Sequence, residues 1–263
     1  MKTIYQALAE IEASNQSAAL ATIVRSKGST PRHGTSKMLV YADGSTLGTV
    51  GGGEMERRVH AAALEAMQDG EARYLTYNMS DPSKGDPGIC GGTVEVYVEP
   101  ILPDPSLLLI GAGHVGKAVV HLAKWLGFRT IVVEDNAEFC TPEHIPGGDE
   151  YHPVAMDAIT EHVQINAQTY IVMATRGADV DAVALPDLLA SPAAYIGVIG
   201  SKRRWLAAAS LLQERGVDEA QLKRIHSPIG LEIEAETPEE IAVSIMAEVL
   251  MIRHGGTGEK MSA

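Results

Sequence analysis

The chain lacks most of the residues that would mark a specialised class. It has only two cysteines, Cys90 and Cys140, far apart in sequence. They make neither a disulfide framework nor a zinc pattern. No stretch approaches the ~18 unbroken apolar residues of a membrane helix. The first residues run into Glu10 and Glu12 rather than an apolar signal core. The expectation is a cytoplasmic protein in a reducing compartment. Positive charge is also scarce: 21 Lys+Arg face 34 Asp+Glu, for a net charge of -13. That excludes a nucleic-acid backbone as the main partner, because phosphate chains need a basic surface. A small anionic ligand in a local basic pocket stays open. The nine histidines show no metal-ligand spacing. No Ser/His/Asp order, paired-carboxylate motif or metal-protease motif stands out, so the signals describe binding rather than a catalytic engine.

What is present is 263 residues, 45% of them hydrophobic, with 26 glycines. At ~150 residues per domain, two domains are favoured. The segment Glu99-Pro100-Ile101-Leu102-Pro103-Asp104-Pro105 carries three prolines. Proline continues neither a helix nor a central strand. The expected organisation is an α+β domain over residues 1–99, a proline-rich linker over 100–105, a Rossmann-like doubly wound domain over 106–254 and a flexible tail over 255–263.

In the first part, Ile4, Leu8 and Ile11 fall at helical spacing, and Met55, Val59, Ala62 and Ala66 line one face of a helix over 54–69. Strands are predicted over 18–26, 38–41, 73–77 and 93–98. In the second part, short apolar runs at 107–110, 130–133, 170–174 and 195–199 fit strands buried on both faces. Helical patterns between most of them predict a right-handed parallel sheet. Thr237, Pro238 and Glu240 form a capping-box start for the last helix, which ends near Arg253 before Gly255. That helix is apolar on most sides, which fits burial against the other domain or a second copy, and a homodimer is predicted.

The sharpest motif is Gly111-Ala112-Gly113-His114-Val115-Gly116, set between the run Leu107-Leu108-Leu109-Ile110 and a helix. In this context Gly111 permits the turn, Gly113 admits a pyrophosphate and Gly116 lets helix and strand approach. Glu134 and Asp135 lie 18 and 19 positions after Gly116. An acid there binds a ribose hydroxyl and repels a 2′-phosphate, so a dinucleotide would be NAD rather than NADP. A Rossmann fold with an empty or repurposed site remains the alternative. Other strand ends face the same crevice. Arg176 and Asp179 follow one; Gly200, Ser201, Lys202, Arg203 and Arg204 follow another. Three cations at a helix start oppose its dipole unless an anion is near; the plain alternative is a solvated basic face.

Two glycine loops mark the first domain. Gly28-Ser29-Thr30-Pro31-Arg32 offers two hydroxyls, amides and a guanidinium. Gly51, Gly52 and Gly53, followed by Glu54, open a helix and can form an anion-binding nest, with Arg32, Arg57 and Arg58 as counter-charges. A tight turn with close packing is the plain alternative. Cys90, flanked by glycines, is either a reactive thiol or a small buried hydrophobe. The glycine systems of the two domains are expected to face each other.

As a set these blocks resemble the XdhC/CoxI family, the xanthine dehydrogenase accessory proteins. The matching residues are 28–32, 48–54, 90–92, 111–116, 195–201, 228–233 and 237–245. The resemblance implies a two-domain carrier of molybdenum cofactor. Such a carrier protects its cargo while a cysteine-desulfurase-type sulfurase replaces an oxo ligand with sulfur. It then helps insertion into a molybdenum hydroxylase such as xanthine dehydrogenase. On that reading Ser29, Thr30, Arg32 and the nest at Gly51–Glu54 take the cofactor phosphate, and Cys90 approaches the metal or its sulfur. Gly111, Gly113, His114, Gly116, Glu134, Asp135, Gly200, Ser201 and Lys202 complete the binding set. The chain departs from the family where a His-Gly-His block is usual, with Arg176-Gly177-Ala178, and where Asp-Asp-Arg is usual, with Glu134-Asp135-Asn136. The competing reading is an NAD-dependent oxidoreductase acting on a small substrate, with His114, Arg176 or Asp179 positioning substrate or moving a proton.

Overall fold

A computed structural model describes residues 2–28, 35–79 and 91–262. The chain divides into two units, Met1–Pro103 and Asp104–Ala263. The loop residues Ser29, Thr30, Arg32 and Cys90 lie outside the described residues.

The first unit runs α1 (Ile4–Ala13), β1 (Ala18–Lys27), β2 (Lys37–Tyr41), β3 (Thr46–Gly48), α2 (Gly53–Asp69), β4 (Arg73–Asn78) and β5 (Thr93–Ile101). Its five strands form an antiparallel sheet in the order β3-β2-β1-β5-β4. The period-2 alternation of β1 sends Ala19, Ala21 and Ile23 to one face and Ala18 and Leu20 to the other. α2 covers the first face with Met55, Val59, Ala63 and Ala66. α1 covers part of the second with Ala7 and Ile11 against Leu39.

One boundary differs from expectation. β5 runs through Pro100, which sits opposite Ala19, so Pro100 and Ile101, expected in the linker, belong to the sheet. β4 pairs with β5 only as far as Val98. Beyond it β5 has a free edge, where a proline is tolerated.

The second unit runs β6 (Ser106–Ile110), α3 (His114–Trp125), β7 (Arg129–Val133), β8 (Glu150–His152), α4 (Ile159–His162), β9 (Thr169–Met173), α5 (Ala178–Ala190), β10 (Tyr195–Val198), α6 (Lys202–Glu214), α7 (Glu219–Leu222), β11 (Ile225–His226) and α8 (Pro238–His254). Six parallel strands take the order β11-β10-β9-β6-β7-β8. This is the doubly wound Rossmann order, and its switch point lies between β6 and β9. All five residues of β6 and of β9 are buried, as strands with helices on both faces should be.

One core holds Leu108, Ile171, Leu185, Leu188 and Leu212 on the α5–α6 side. The other holds Leu109, Val119, Val172, Ile245 and Val249 on the α3–α8 side. α8 starts at the predicted Thr237–Glu240 capping box and ends at Gly255 in the left-handed region. Its apolarity has a cause inside this unit: α8 buries Ala242, Ile245, Met246 and Val249 in the core it shares with α3, so the pattern is no argument for a second copy. Among the described residues no helix is long and apolar enough to cross a membrane.

Candidate functional site

The C-terminal edge of the parallel sheet holds a cavity of about 710 Å³. The turn after β6 forms its floor. Gly111 has φ +104°, and a Cβ there would stand 2.5 Å from the Ala174 carbonyl oxygen. Only glycine fits that approach of two strand ends. A Cβ on Gly116 would meet the Gly111 carbonyl at 2.5 Å, so the helix start also requires glycine. Gly113 caps α3 without a side chain and lines the cavity.

Glu134 follows β7 directly and is only 8% exposed. Its carboxylate accepts from the Ala112 amide at 2.9 Å and from the Asn136 amide at 3.2 Å. The expected ribose acid is therefore held against the glycine turn. Asp135 accepts two bonds from Arg176, at 2.8 and 2.6 Å. These bonds hold its carboxyl well below the usual carboxylate range. Because β6 lies between β7 and β9, this ion pair spans the end of β6. Arg176, one of the family departures, thus answers Asp135.

The far wall was not read from the sequence. Phe139, 46% exposed, stacks on His144 with ring centroids 4.9 Å apart. His144 in turn donates from Nε2 to the Ala112 carbonyl at 2.9 Å. Met156 and Val180 complete an apolar side.

The cavity gathers Gly111, Gly113, Glu134, Asp135 and Arg176, as the sequence led us to expect. Other candidates lie off its lining. His114 is exposed and lines a separate groove of about 400 Å³ between α3 and α8, with Lys117 and His121. Asp179 is exposed on the first turn of α5. Gly200 precedes Ser201, whose hydroxyl caps α6, and Lys202 is exposed on that helix.

Of the three cations at the start of α6, Lys202 and Arg203 are exposed, and Arg204 is answered by Asp181. It is 0% exposed and accepts from Arg204 Nε at 3.1 Å and Nη2 at 2.8 Å. Arg204 also donates to the Thr175 carbonyl at 3.0 Å and hydroxyl at 2.7 Å, and that hydroxyl donates to Asp181. A second buried polar cluster lies elsewhere in the unit. Glu248 accepts from Tyr195 at 2.7 Å and from the Gly230 amide at 2.6 Å, with His226 at 3.1 Å. It fastens the 228–233 block to α8.

In the first unit the glycine nest is filled from within. Glu56 Oε2 accepts from the amides of Val50 at 3.1 Å, Gly51 at 3.3 Å and Gly52 at 3.0 Å, and from the Thr49 hydroxyl. Burial opposes its charge, but these bonds outweigh it and hold the carboxyl below its ordinary value. The anion these amides hold is a side chain of the same helix rather than a ligand. The two arginines are engaged as well: Arg57 Nε and Arg58 Nε reach Glu54 at 2.8 and 2.9 Å. Hydrogen bonds from Arg57 and then Arg58 draw Glu54 down to about 2. The amides of Gly51 and Gly52 and the Glu54 carboxylate therefore all have internal partners.

Fold and site define a two-unit α/β chain whose second unit is a Rossmann sheet with a crevice at its switch point. Residues 107–249 match the XdhC Rossmann domain, and residues 11–78 match the XdhC and CoxI family. The chain belongs to the XdhC/CoxI family. It is 37% identical, over 98% of its length, to the uncharacterized protein YqeB of Escherichia coli, and covers 48% of that protein. It is 31% identical, over 61% of its length, to a Bacillus subtilis protein described as a probable xanthine dehydrogenase component, covering 47% of it. The chain thus spans about half the length of these two relatives. It is 23% identical, over 96% of its length, to the molybdenum cofactor insertion chaperone PaoD of Escherichia coli, and covers 88% of that protein. A crystal structure described as a xanthine dehydrogenase from Bacillus halodurans shares the fold, with a TM-score of 0.52 at 23% identity over 98% of this chain and 97% of that one.

Proposed function

We propose that this chain is a carrier of molybdenum cofactor that receives the cofactor, shields it during sulfuration and delivers it to a molybdenum hydroxylase of the xanthine dehydrogenase type. The observation that carries this reading is the family match in both units, together with alignment along 96% of the chain to a protein named as a molybdenum cofactor insertion chaperone. The crevice supports it. Molybdopterin carries an anionic phosphate, and the Gly111–Gly116 turn opens α3, whose first amides are free to meet such a group. Ser29, Thr30, Arg32 and Cys90 are the first-unit candidates for the cofactor's phosphate and metal ends. The nest at Gly51–Gly53 takes the phosphate only where it displaces Glu56. The sulfur donor is a cysteine-desulfurase-type sulfurase, the setting is the cytoplasm, and the carrier works as a homodimer.

The test is purification from a host that makes the cofactor, followed by molybdenum analysis, pterin fluorescence and delivery to an apo molybdenum hydroxylase. Stoichiometric molybdenum and restored hydroxylase activity support the reading. Absence of both, from a host containing free cofactor, defeats it. Cys90→Ala with unchanged cofactor affinity and delivery removes the cysteine from the account.

The glycine turn and Glu134 favour one competitor, an NAD-dependent oxidoreductase. Its proposed polar groups are poorly placed, because Arg176 is paired with Asp135 while His114 and Asp179 lie off the cavity lining. Turnover of NADH by the purified protein alone would establish it.

A further inference from the structure

The groove between α3 and α8 shares no lining residue with the crevice. His114, Lys117 and His121 fall at helical spacing on one face of α3 and form its basic wall. Ala118, Leu122, Ala242 and Val243 give it an apolar floor, and Val243 is 51% exposed. Trp125, four residues past His121, continues the same face of α3 and is 78% exposed. A tryptophan left that open beside an apolar groove has the composition of a protein contact rather than of a solvated face.

Charge narrows what the contact is with. The chain carries a net charge of -13. Arg57, Arg58, Arg176 and Arg204 are all answered by carboxylates of the same chain. The side chains of His114, Lys117 and His121 have no hydrogen-bond or ion-pair partner among the described residues. Basic groups stacked along one helix face are disfavoured unless an acid answers them.

The chain itself carries a matching acidic segment. Just before α8, Glu232, Glu234 and Glu236 alternate along an exposed stretch, and Ile233 among them is 51% exposed. None of the three glutamates has an ion-pair partner among the described residues. The segment does not enter the groove of its own copy, whose α8 lining begins at Pro238. It leads directly into that residue, so acidic segment and basic groove adjoin on one surface. His114 and His121 stand about 10 Å apart along α3 at the helical rise. Residues 232–236 reach up to about 13 Å when extended, so the segment matches the basic wall in length. Two complementary patches that adjoin on one surface are what a two-fold interface needs, because each copy gives its segment and receives the other's.

We propose that a second copy of this chain docks on the α3–α8 groove in a reciprocal two-fold dimer. Its acidic segment at 232–236 lies along His114, Lys117 and His121, with Ile233 over the apolar floor. The proposal rests on the homodimer of the carrier reading and assigns the surface that forms it.

The test is light scattering of the full chain at micromolar concentration, with two variants of opposite charge, Lys117→Glu and Glu232→Lys/Glu234→Lys. The wild-type chain is expected to be a dimer. Each variant alone puts like charges into both copies of the contact and weakens its dimer by at least about ten-fold. An equimolar mixture restores the dimer, because the acidic groove of one variant meets the basic segment of the other while the second contact is native. Circular dichroism checks folding. Ile233→Asp, at an exposed position, also weakens the dimer and supplies the reading if a charge variant fails to fold. Three results overturn the proposal: a monomeric wild-type chain, a dimer that no variant weakens, or two folded monomeric variants whose mixture stays monomeric. The outcome is separable from that of the carrier reading, which molybdenum content reports. A dimer that no variant weakens defeats this surface and leaves the homodimer standing. A monomeric chain that still carries molybdenum defeats the dimer and leaves the cargo.

Discussion

Replacing Glu56 tests whether the first unit's glycine nest is a filled site. One carboxylate oxygen accepts three backbone amides and a hydroxyl at the start of α2. A hydrogen bond to a charged group contributes about 1.5–3 kcal/mol, but bonds sharing one acceptor do not add. Gly51 and Gly52 are half-buried, so water can satisfy part of what is lost. We therefore expect Glu56→Ala to cost about 2–3 kcal/mol, and Glu56→Gln, which keeps an acceptor without the charge, about 1–2 kcal/mol. The assay is urea unfolding at constant m across pH. The folded carboxyl lies below its ordinary value of 4.5. Its contribution is thus complete above that ordinary value and is lost as pH falls through the folded value. Wild type and Glu56→Gln should differ at neutral pH and converge in acid. A difference under about 0.5 kcal/mol at neutral pH, or one that grows on acidification, refutes the reasoning.

Other outcomes follow from the second unit. Gly111→Ala forces a Cβ to 2.5 Å from the Ala174 carbonyl at a φ of +104°; it should cost more than about 2 kcal/mol and abolish ligand binding in the crevice. Thermal unfolding together with titration checks both. Arg204→Met strands Asp181, which is 0% exposed, without its cation. The expected loss is about 3–5 kcal/mol, with partial recovery in the Asp181→Asn/Arg204→Met double variant, read by a double-mutant cycle. Strict additivity of the two changes would contradict the coupling.

The fold was legible wherever one local signal sufficed. The runs at Leu107–Ile110 and Tyr170–Met173 read as buried strands because both faces of the parallel sheet are covered. Thr237 and Glu240 mark the start of α8 because a capping box is local. β8 and β11 escaped notice: Glu150-Tyr151-His152 has no apolar run, and Ile225-His226 is only two residues long. Pro100 misled, because where β4 stops is a matter of tertiary pairing.

The site was legible to the same depth. The glycine turn and its acid are a local motif, and they meet in space as expected. What fills an anion nest, or which acid answers a cation, depends on contacts that spacing does not reveal. Glu56 folds back on its own helix start, and Asp181 rather than Asp179 turns inward to Arg204. Phe139 is one of only two phenylalanines in the chain, which was the one available hint, but its exposure and its hold on His144 appear only in the fold.

The central claim is that this chain carries molybdenum cofactor, and the most direct measurement is the molybdenum and pterin content of protein purified from a host that makes the cofactor. The account predicts both, in near-equal molar amounts with the protein, and release to an apo hydroxylase. Protein free of both, from cells shown to contain unbound cofactor, would contradict it.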